Sequence, residues 1–305
     1  MPPDPRPDAG LFLVNEPPRL VRGTWRDLGE TWTHRELLRA LVGRELRSRY
    51  KGTHLGWVWA LIRPLVMLLV YGLGVGVFLG AGEVIPQFVV YLYVGLLAWG
   101  LFSSIVSSCV SSVTANGPLV AKSRFPRLLL PLAATIAALV DFVLQASVLV
   151  VGYFLVGGFP SARDLMWLPP ALATLVLLAL GVGLVLAAVN VYLRDVEFFT
   201  DVALQVGFWL VPVVYTYGQV VRGFERFGWA ADVATQVYLL NPMVTVLLSF
   251  HRALWPAYAH PDAAGLVFSG PLHVALAIVG GASIIVAWVG SRVYARLARN
   301  FGQEF

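Results

Sequence analysis

Six apolar stretches dominate this chain, near residues 57–80, 87–113, 129–156, 166–191, 202–221 and 272–292. A helix rising about 1.5 Å per residue needs roughly 20 residues to cross a ~30 Å hydrocarbon core, and each stretch is about that long or longer. A soluble fold of this size has too little polar surface to cover them. Of the 305 residues, 58% are hydrophobic and 13% charged, about half the ~25% charged content of soluble domains. Soluble enzymes, disordered chains and coiled coils are thereby excluded. Within lipid every backbone N–H and C=O must be satisfied, so runs of this length are helices. The fold class is an all-α integral membrane protein with six transmembrane helices.

Lysine and arginine orient it. All but four of the 22 fall before or at the start of span one, in the 114–128 and 192–201 loops, or in the tail. The four are Arg163, Arg222, Arg226 and Arg252. Both termini are therefore expected on the cytoplasmic side, in a multi-pass arrangement. The net charge of +5 is a positive-inside signature, and no nucleic-acid partner is expected. Residues 1–30 are rich in Pro and Arg without an apolar core, so no cleavable signal is expected and targeting falls to the spans. The expected organisation is a flexible cytoplasmic N-terminus (1–30), an interfacial helix (31–56), a six-span domain (57–296) and a cytoplasmic tail (297–305).

Between 33 and 51, Leu37, Leu38, Leu41, Val42 and Leu46 recur at helical spacing, with Arg35, Arg39, Arg44, Arg47 and Arg49 between them. This is an amphipathic interfacial helix, anchored to anionic lipid or placed to meet the phosphates of a lipid-linked substrate. Asn116-Gly117-Pro118 starts a short helix, Pro118 to Phe125, carrying Lys122 and Arg124; Pro126 ends it. Residues 190–199 alternate apolar and charged side chains at a membrane exit. Both segments suit a partner protein as handles. Between spans five and six, Asn241-Pro242 opens an apolar run from Met243 to Leu254, too short to cross, which predicts a re-entrant or interfacial helix on the outer side.

Chemistry-bearing residues are sparse. Cys109 stands alone, and the five histidines have no metal-binding spacing. Asp195 and Glu197, or Asp262, His260 and His273, form no enzymatic motif. Asp141 is the clearest acidic residue within a span, expected to make a polar contact between helices and to lack a buried basic partner. Arg63, early in span one, is expected to snorkel to the interface. The serines of span two, Ser103, Ser104, Ser107, Ser108, Ser111 and Ser112, suit close helix packing or a hydroxyl-lined path.

Arg47-Ser48-Arg49-Tyr50-Lys51-Gly52-Thr53-His54-Leu55-Gly56, with Trp59 and Pro64, resembles the N-terminal signature of ABC-2 type export permeases. The likeness is strongest to those that export O-antigen, teichoic acid and related polysaccharides. Val120–Arg127 resembles the first coupling helix of that family, and Asn190–Val196 its second cytoplasmic contact. Pro212-Val213-Val214-Tyr215 and Leu239-Leu240-Asn241-Pro242-Met243 match its outer region, and Asn300–Phe305 its tail, with Gly302 where alanine is commoner.

The resemblance implies a homodimer of permeases in the bacterial inner membrane, paired with two cytoplasmic ATPase subunits. No Gly-Lys dipeptide occurs, so ATP and Mg belong to the partner, and this chain is expected to be neither an enzyme nor a holder of cofactor or metal. Coupling would fall to Pro118, Lys122, Arg124, Phe125, Pro126, Arg127, Arg194 and Asp195. Arg47, Arg49, Tyr50 and Lys51 would meet the pyrophosphate of a polyprenyl-linked glycan. The sugar would pass over Tyr71, Phe78, Trp99, Phe102, Trp209 and Tyr215, with Tyr91, Tyr93 and Tyr217 as further candidates. The alternatives are an ABC-2 exporter of a drug or free lipid, and an ion-coupled transporter using Asp141.

Overall fold

The computed structural model describes residues 34–50, 55–122, 125–226, 228 and 230–304. Lys51, Arg124 and the expected flexible segment 1–30 lie outside the described residues, as do the side chains of Tyr50 and Lys122. Every regular element among the described residues is helical. Helix α1 is Arg35–Tyr50, and α2, Trp59–Tyr71, continues as a π-helix through Gly72–Phe78. There follow α3 (Phe88–Ser112), α4 (Gly117–Lys122), α5 (Leu129–Val156) and α6 (Leu168–Asn190). Then come α7 (Asp195–Trp209), α8 (Tyr217–Arg226), α9 (Ala231–Leu239), α10 (Pro242–Leu254) and α11 (Leu272–Leu297), with shorter helical turns between them.

Five helical segments are long and apolar enough to cross a membrane: Gly56–Phe78, Phe88–Ser112, Leu129–Val156, Ala162–Asn190 and Leu272–Phe301. These match five of the six expected spans, and the last runs beyond its expected end. The expected span at 202–221 is not one helix. It begins earlier, at Asp195, stops at Trp209, and the chain is non-helical until α8 starts at Tyr217. Pro212 accounts for the break, because it lacks an N–H and disfavours helical backbone at Val211. A sixth candidate is the pair Asp232–Leu239 and Pro242–Leu254, bent by 97° at Asn241. Asn241 caps α10: its side chain accepts from Met243 N–H at 3.1 Å and donates to the Leu210 carbonyl at 3.3 Å.

The centre of the bundle is α3, packed against α5, α6 and α10. Lipid tails are as apolar as leucine, so helix association here rests on close contact rather than on escape from water. The crossing of α6 with α11 shows this. A Cβ on Gly181 would stand 2.6 Å from Ala287 N, and one on Gly290 would strike the Gly181 carbonyl. The segment at 211–215 seats on α3 in the same way, since a Cβ on Gly95 would lie 3.0 Å from Val213 Cα. By contrast α2 stands at the rim. Only 6% of its most apolar window is buried, against 61% for α3.

Two clusters form the core. The larger fills the centre and the end holding α8 to α10, here the distal end. The smaller joins Leu41 of α1 to Val113, Val120, Leu129, Leu130, Tyr294 and Phe301 at the opposite, basal end. The helix expected over 33–51 is present as α1; it packs Leu37, Leu38, Leu41 and Val42 against this cluster.

A polar and aromatic furrow through the bundle

Two cavities open side by side between α2, α3, α5 and α7. The basal one, about 510 Å³, is lined by Arg49, Trp59, Arg63, Ser104, Asp141 and Gln145 among others. The second, about 560 Å³, is lined by Tyr71, Trp99, Ser103, Gln205, Phe208 and Trp209 among others. Both share Arg63, Pro64, Gly100 and Gln145 in their walls, so they form one furrow that is polar at its base and aromatic above.

The base is built round an ion pair. Arg49 Nη1 is 2.6 Å from Asp141 Oδ2, Nη2 donates to Ser108 Oγ at 2.9 Å, and Nε is 3.5 Å from Glu45 Oε1. One expectation is corrected here: Asp141 does have a basic partner, the last basic residue of α1. Arg49, expected to meet a phosphate, is paired with Asp141 and Glu45 in this structure. The α1 helix brings Arg49 inward because Leu37, Leu41 and Val42 pack down on the basal cluster. Arg47 is exposed on α1. Arg63 is exposed, lines both cavities and, among the described residues, has no carboxylate within ion-pair distance. The serines divide. Ser108 holds Arg49, Ser104 lines the base and Ser107 donates to Asp201 at 3.3 Å. Ser103, Ser111 and Ser112 return their hydroxyls to backbone carbonyls of α3.

The aromatic part gathers three of the expected rings. Tyr71 stacks on Phe208 at 5.4 Å and meets Trp209 edge-on at 6.3 Å; Trp99 approaches Phe208 at 6.4 Å. Phe208 is the residue that sequence reasoning missed, although its place beside Trp209 in an apolar helix was the available signal. Phe102 contacts Trp99 at 5.4 Å but lines a neighbouring apolar cavity of about 500 Å³ between α3, α6 and α7. Phe78 is 81% exposed at the end of the π-helix and lines neither cavity of the furrow. Tyr215 donates its hydroxyl to the Trp209 carbonyl at 2.7 Å. Tyr91 and Tyr93 are buried, with hydroxyls bound to backbone carbonyls. The Tyr217 hydroxyl pairs with Thr235 at 2.6 Å.

Above the furrow α10 is deeply inserted, with eleven of its thirteen residues buried. His251 stacks on Tyr91 at 4.0 Å, and its Nε2 lies 3.1 Å from the Tyr91 carbonyl and so donates to it. Trp255 donates to the Pro86 carbonyl at 2.9 Å, and Arg252 pairs with Asp164 at 3.0 Å.

At the basal end, Pro118 is exposed at the start of α4, and Arg194 and Asp195 are exposed before and at the start of α7. Phe125 packs on the small cluster, with Pro126 beside it. Arg127 holds its guanidinium 5.7 Å above the ring of Phe301, and its carbonyl accepts from the Tyr294 hydroxyl at 3.0 Å. Asn190 joins the second segment to α3, donating to the Val110 carbonyl at 3.1 Å and accepting from Glu197 N–H at 3.2 Å. The Tyr192 hydroxyl donates to the Leu297 carbonyl at 2.9 Å. Partial burial, then the nearby Glu304 carboxylate, raises that phenol above its ordinary value. Among the described residues no three His, Cys, Asp or Glu side chains are grouped to hold a metal ion.

A polar furrow running into an apolar helical bundle is the architecture of a multi-pass membrane protein. The chain belongs to the ABC-2 type transporter family, whose model matches residues 36–248. It is 30% identical over 286 residues to the O-antigen export system permease protein RfbA of Myxococcus xanthus, covering 94% of this chain and 99% of that one. It is 26% identical to a protein of the same name from Klebsiella pneumoniae, over 88% and 94% of the two chains. Against the polysialic acid transport protein KpsM of Escherichia coli the identity is 25%, over 72% of this chain and 81% of the relative.

Proposed function

We propose that the chain is the membrane permease of an ATP-driven polysaccharide exporter, moving a glycan carried on polyprenyl pyrophosphate out of the cytoplasm across the bacterial inner membrane. The observation that carries this reading is the furrow, whose charged base and aromatic upper part share Arg63 and Gln145. A glycolipid of this kind has the same two-part chemistry. Its phosphates match guanidinium groups, and the C–H faces of its sugars match aromatic rings. Arg47, Arg49, Arg63 and the neighbouring Tyr50 and Lys51 would receive the pyrophosphate at the basal, cytoplasmic end. Tyr71, Trp99, Phe208 and Trp209 would carry the sugar. The bent pair of α9 and α10 would serve as a re-entrant outer cap.

Relatives named as O-antigen export system permease proteins and as a polysialic acid transport protein support this choice over a drug or free-lipid exporter. Hydrolysis of ATP would come from a separate cytoplasmic subunit, two copies for a permease dimer. The exposed Pro118, Arg194 and Asp195 are the surfaces offered to it, with Lys122, Arg124, Phe125, Pro126 and Arg127 completing the contact. Motion of these segments would bias the bundle between two states.

The test is reconstitution of the purified chain in proteoliposomes with polyprenyl-pyrophosphate glycan, with and without the cognate ATPase. The expected result is no hydrolysis by the chain alone and ATP-dependent export with the partner. Export by the isolated chain, driven by an ion gradient, would replace this reading with one centred on Asp141.

A further inference from the structure

The basal chamber already contains an anion. Asp141 and Ser108 bind the two terminal nitrogens of Arg49, while Glu45 approaches the third. The Arg49 side chain is 18% exposed and that of Asp141 11%, so the pair is largely withdrawn from water. Yet it fronts an open chamber of about 510 Å³, with Arg63 in the same wall and the polar side chains of Ser104 and Gln145 beside it. A pair serving only stability has no need of that space. Buried ion pairs are about neutral against apolar packing, because desolvation offsets their attraction.

We infer that Asp141 is an internal counter-anion which occupies Arg49 until a phosphate ester takes its place. A carboxylate and a phosphate both present two oxygens to a guanidinium fork. The diphosphate of a membrane-anchored substrate carries more charge than the carboxylate, and Arg63 offers its second phosphate a cation with no carboxylate to displace among the described residues. The resting chamber then stays neutralised in the apolar bundle and opens its charge only to a ligand able to outbid Asp141. This inference rests on the proposed substrate class and adds to it a competition that sets affinity.

The experiment measures binding of undecaprenyl diphosphate to the full chain in lipid nanodiscs by native mass spectrometry. Asp141→Asn removes the competitor and is expected to tighten binding by about ten-fold, the scale of one charge-assisted contact. Arg63→Gln, at an exposed position that folding does not depend on, is expected to weaken it by a similar factor. Asp262→Asn, remote from the furrow, serves as the control. Inorganic pyrophosphate should compete, whereas phosphatidylglycerol should not. Unchanged or weaker binding in Asp141→Asn overturns the inference, as does unchanged binding in Arg63→Gln. Equal competition by phosphatidylglycerol overturns the assignment to a diphosphate. ATP-driven export by the wild-type chain, followed alongside, separates the two levels. Export with indifferent variants sinks the counter-anion and leaves the permease reading. Absence of both binding and export sinks both.

Discussion

Tyr91 shows how single groups organise the distal half. Its hydroxyl lies between the carbonyls of Pro212 and Tyr215, at 3.1 and 2.7 Å, and its ring stacks on His251. One side chain of α3 thus satisfies backbone freed by the helix break and also positions α10. Tyr91→Phe keeps the stack and loses the hydroxyl, removing the one O–H that the Pro212 and Tyr215 carbonyls share in an apolar site. The expected cost is about 1 kcal/mol, the scale of an interhelical hydrogen bond in a membrane protein. Denaturant titration of the purified chain in mild detergent checks it, and an unchanged midpoint would show that the break holds itself. Residues like this were the least legible in the sequence. Tyr91 looked like a channel ring because its neighbours are aromatic and apolar. Its true partners lie more than a hundred positions away, and periodicity carries no information about them. The Arg49–Asp141 pair was hidden for the same reason.

At the scale of elements, legibility follows hydrocarbon length. Five spans declared themselves because each is one unbroken apolar run, and lipid leaves such a run few conformations. The 202–221 span misled because hydropathy sums over Pro212 without registering the missing N–H. The π-helix at Gly72–Phe78 has no signature in composition; glycines at 72, 74 and 76 permit it but equally suit ordinary helix packing. The sequence also marked glycines without saying which ones matter. Gly181 and Gly290 meet where α6 crosses α11, while Gly72 has nothing within 4 Å of a built Cβ. Gly290→Leu is therefore expected to cost at least about 3 kcal/mol through overpacking against backbone that cannot yield. Gly72→Ala should cost under about 1 kcal/mol. Folded yield on size exclusion distinguishes them, and equal yields would mean that the α6–α11 contact is not close-packed.

On the proposed function, the whole molecule would pass movement from its basal end to the furrow. The two basal segments are not equivalent probes of that path. Arg127 is packed over Phe301, and its Nη1 is buried without a hydrogen-bond partner among the described residues. Reversing its charge would disturb the basal cluster as well as any docking. Arg194 is exposed, and the backbone around it is held by Asn190 and Tyr192 rather than by its own side chain. Arg194→Glu is expected to lower ATP-dependent export several-fold while stability stays within about 0.5 kcal/mol of wild type. Export at the full rate would remove Arg194 from the coupling surface.

The furrow also bears on how the chain assembles. Its walls carry Arg63 and Gln145 between α2 and α7, whose outward faces expose Val66, Leu69 and Val70 on one side and Phe198, Val202 and Val206 on the other. Lipid tails can cover those apolar faces but cannot satisfy a guanidinium or an amide, so a lipid-filled furrow would leave polar groups without partners. A second copy set against α2 and α7 would enclose the furrow instead and turn two open grooves into one polar path. The exposed face of α11, with Ile284 and Ile285, borders a groove lined mainly by apolar and small residues, which lipid can fill at no such cost. Cys109 is fully buried and stays out of thiol chemistry, so single introduced cysteines report cleanly. Leu69→Cys and Val206→Cys are expected to give a cross-linked dimer with a short bis-maleimide in native membranes, and Ile285→Cys is not. The reverse pattern would place the two-fold axis at α11 and leave the furrow facing lipid, where its charged base would have no route to a sealed channel.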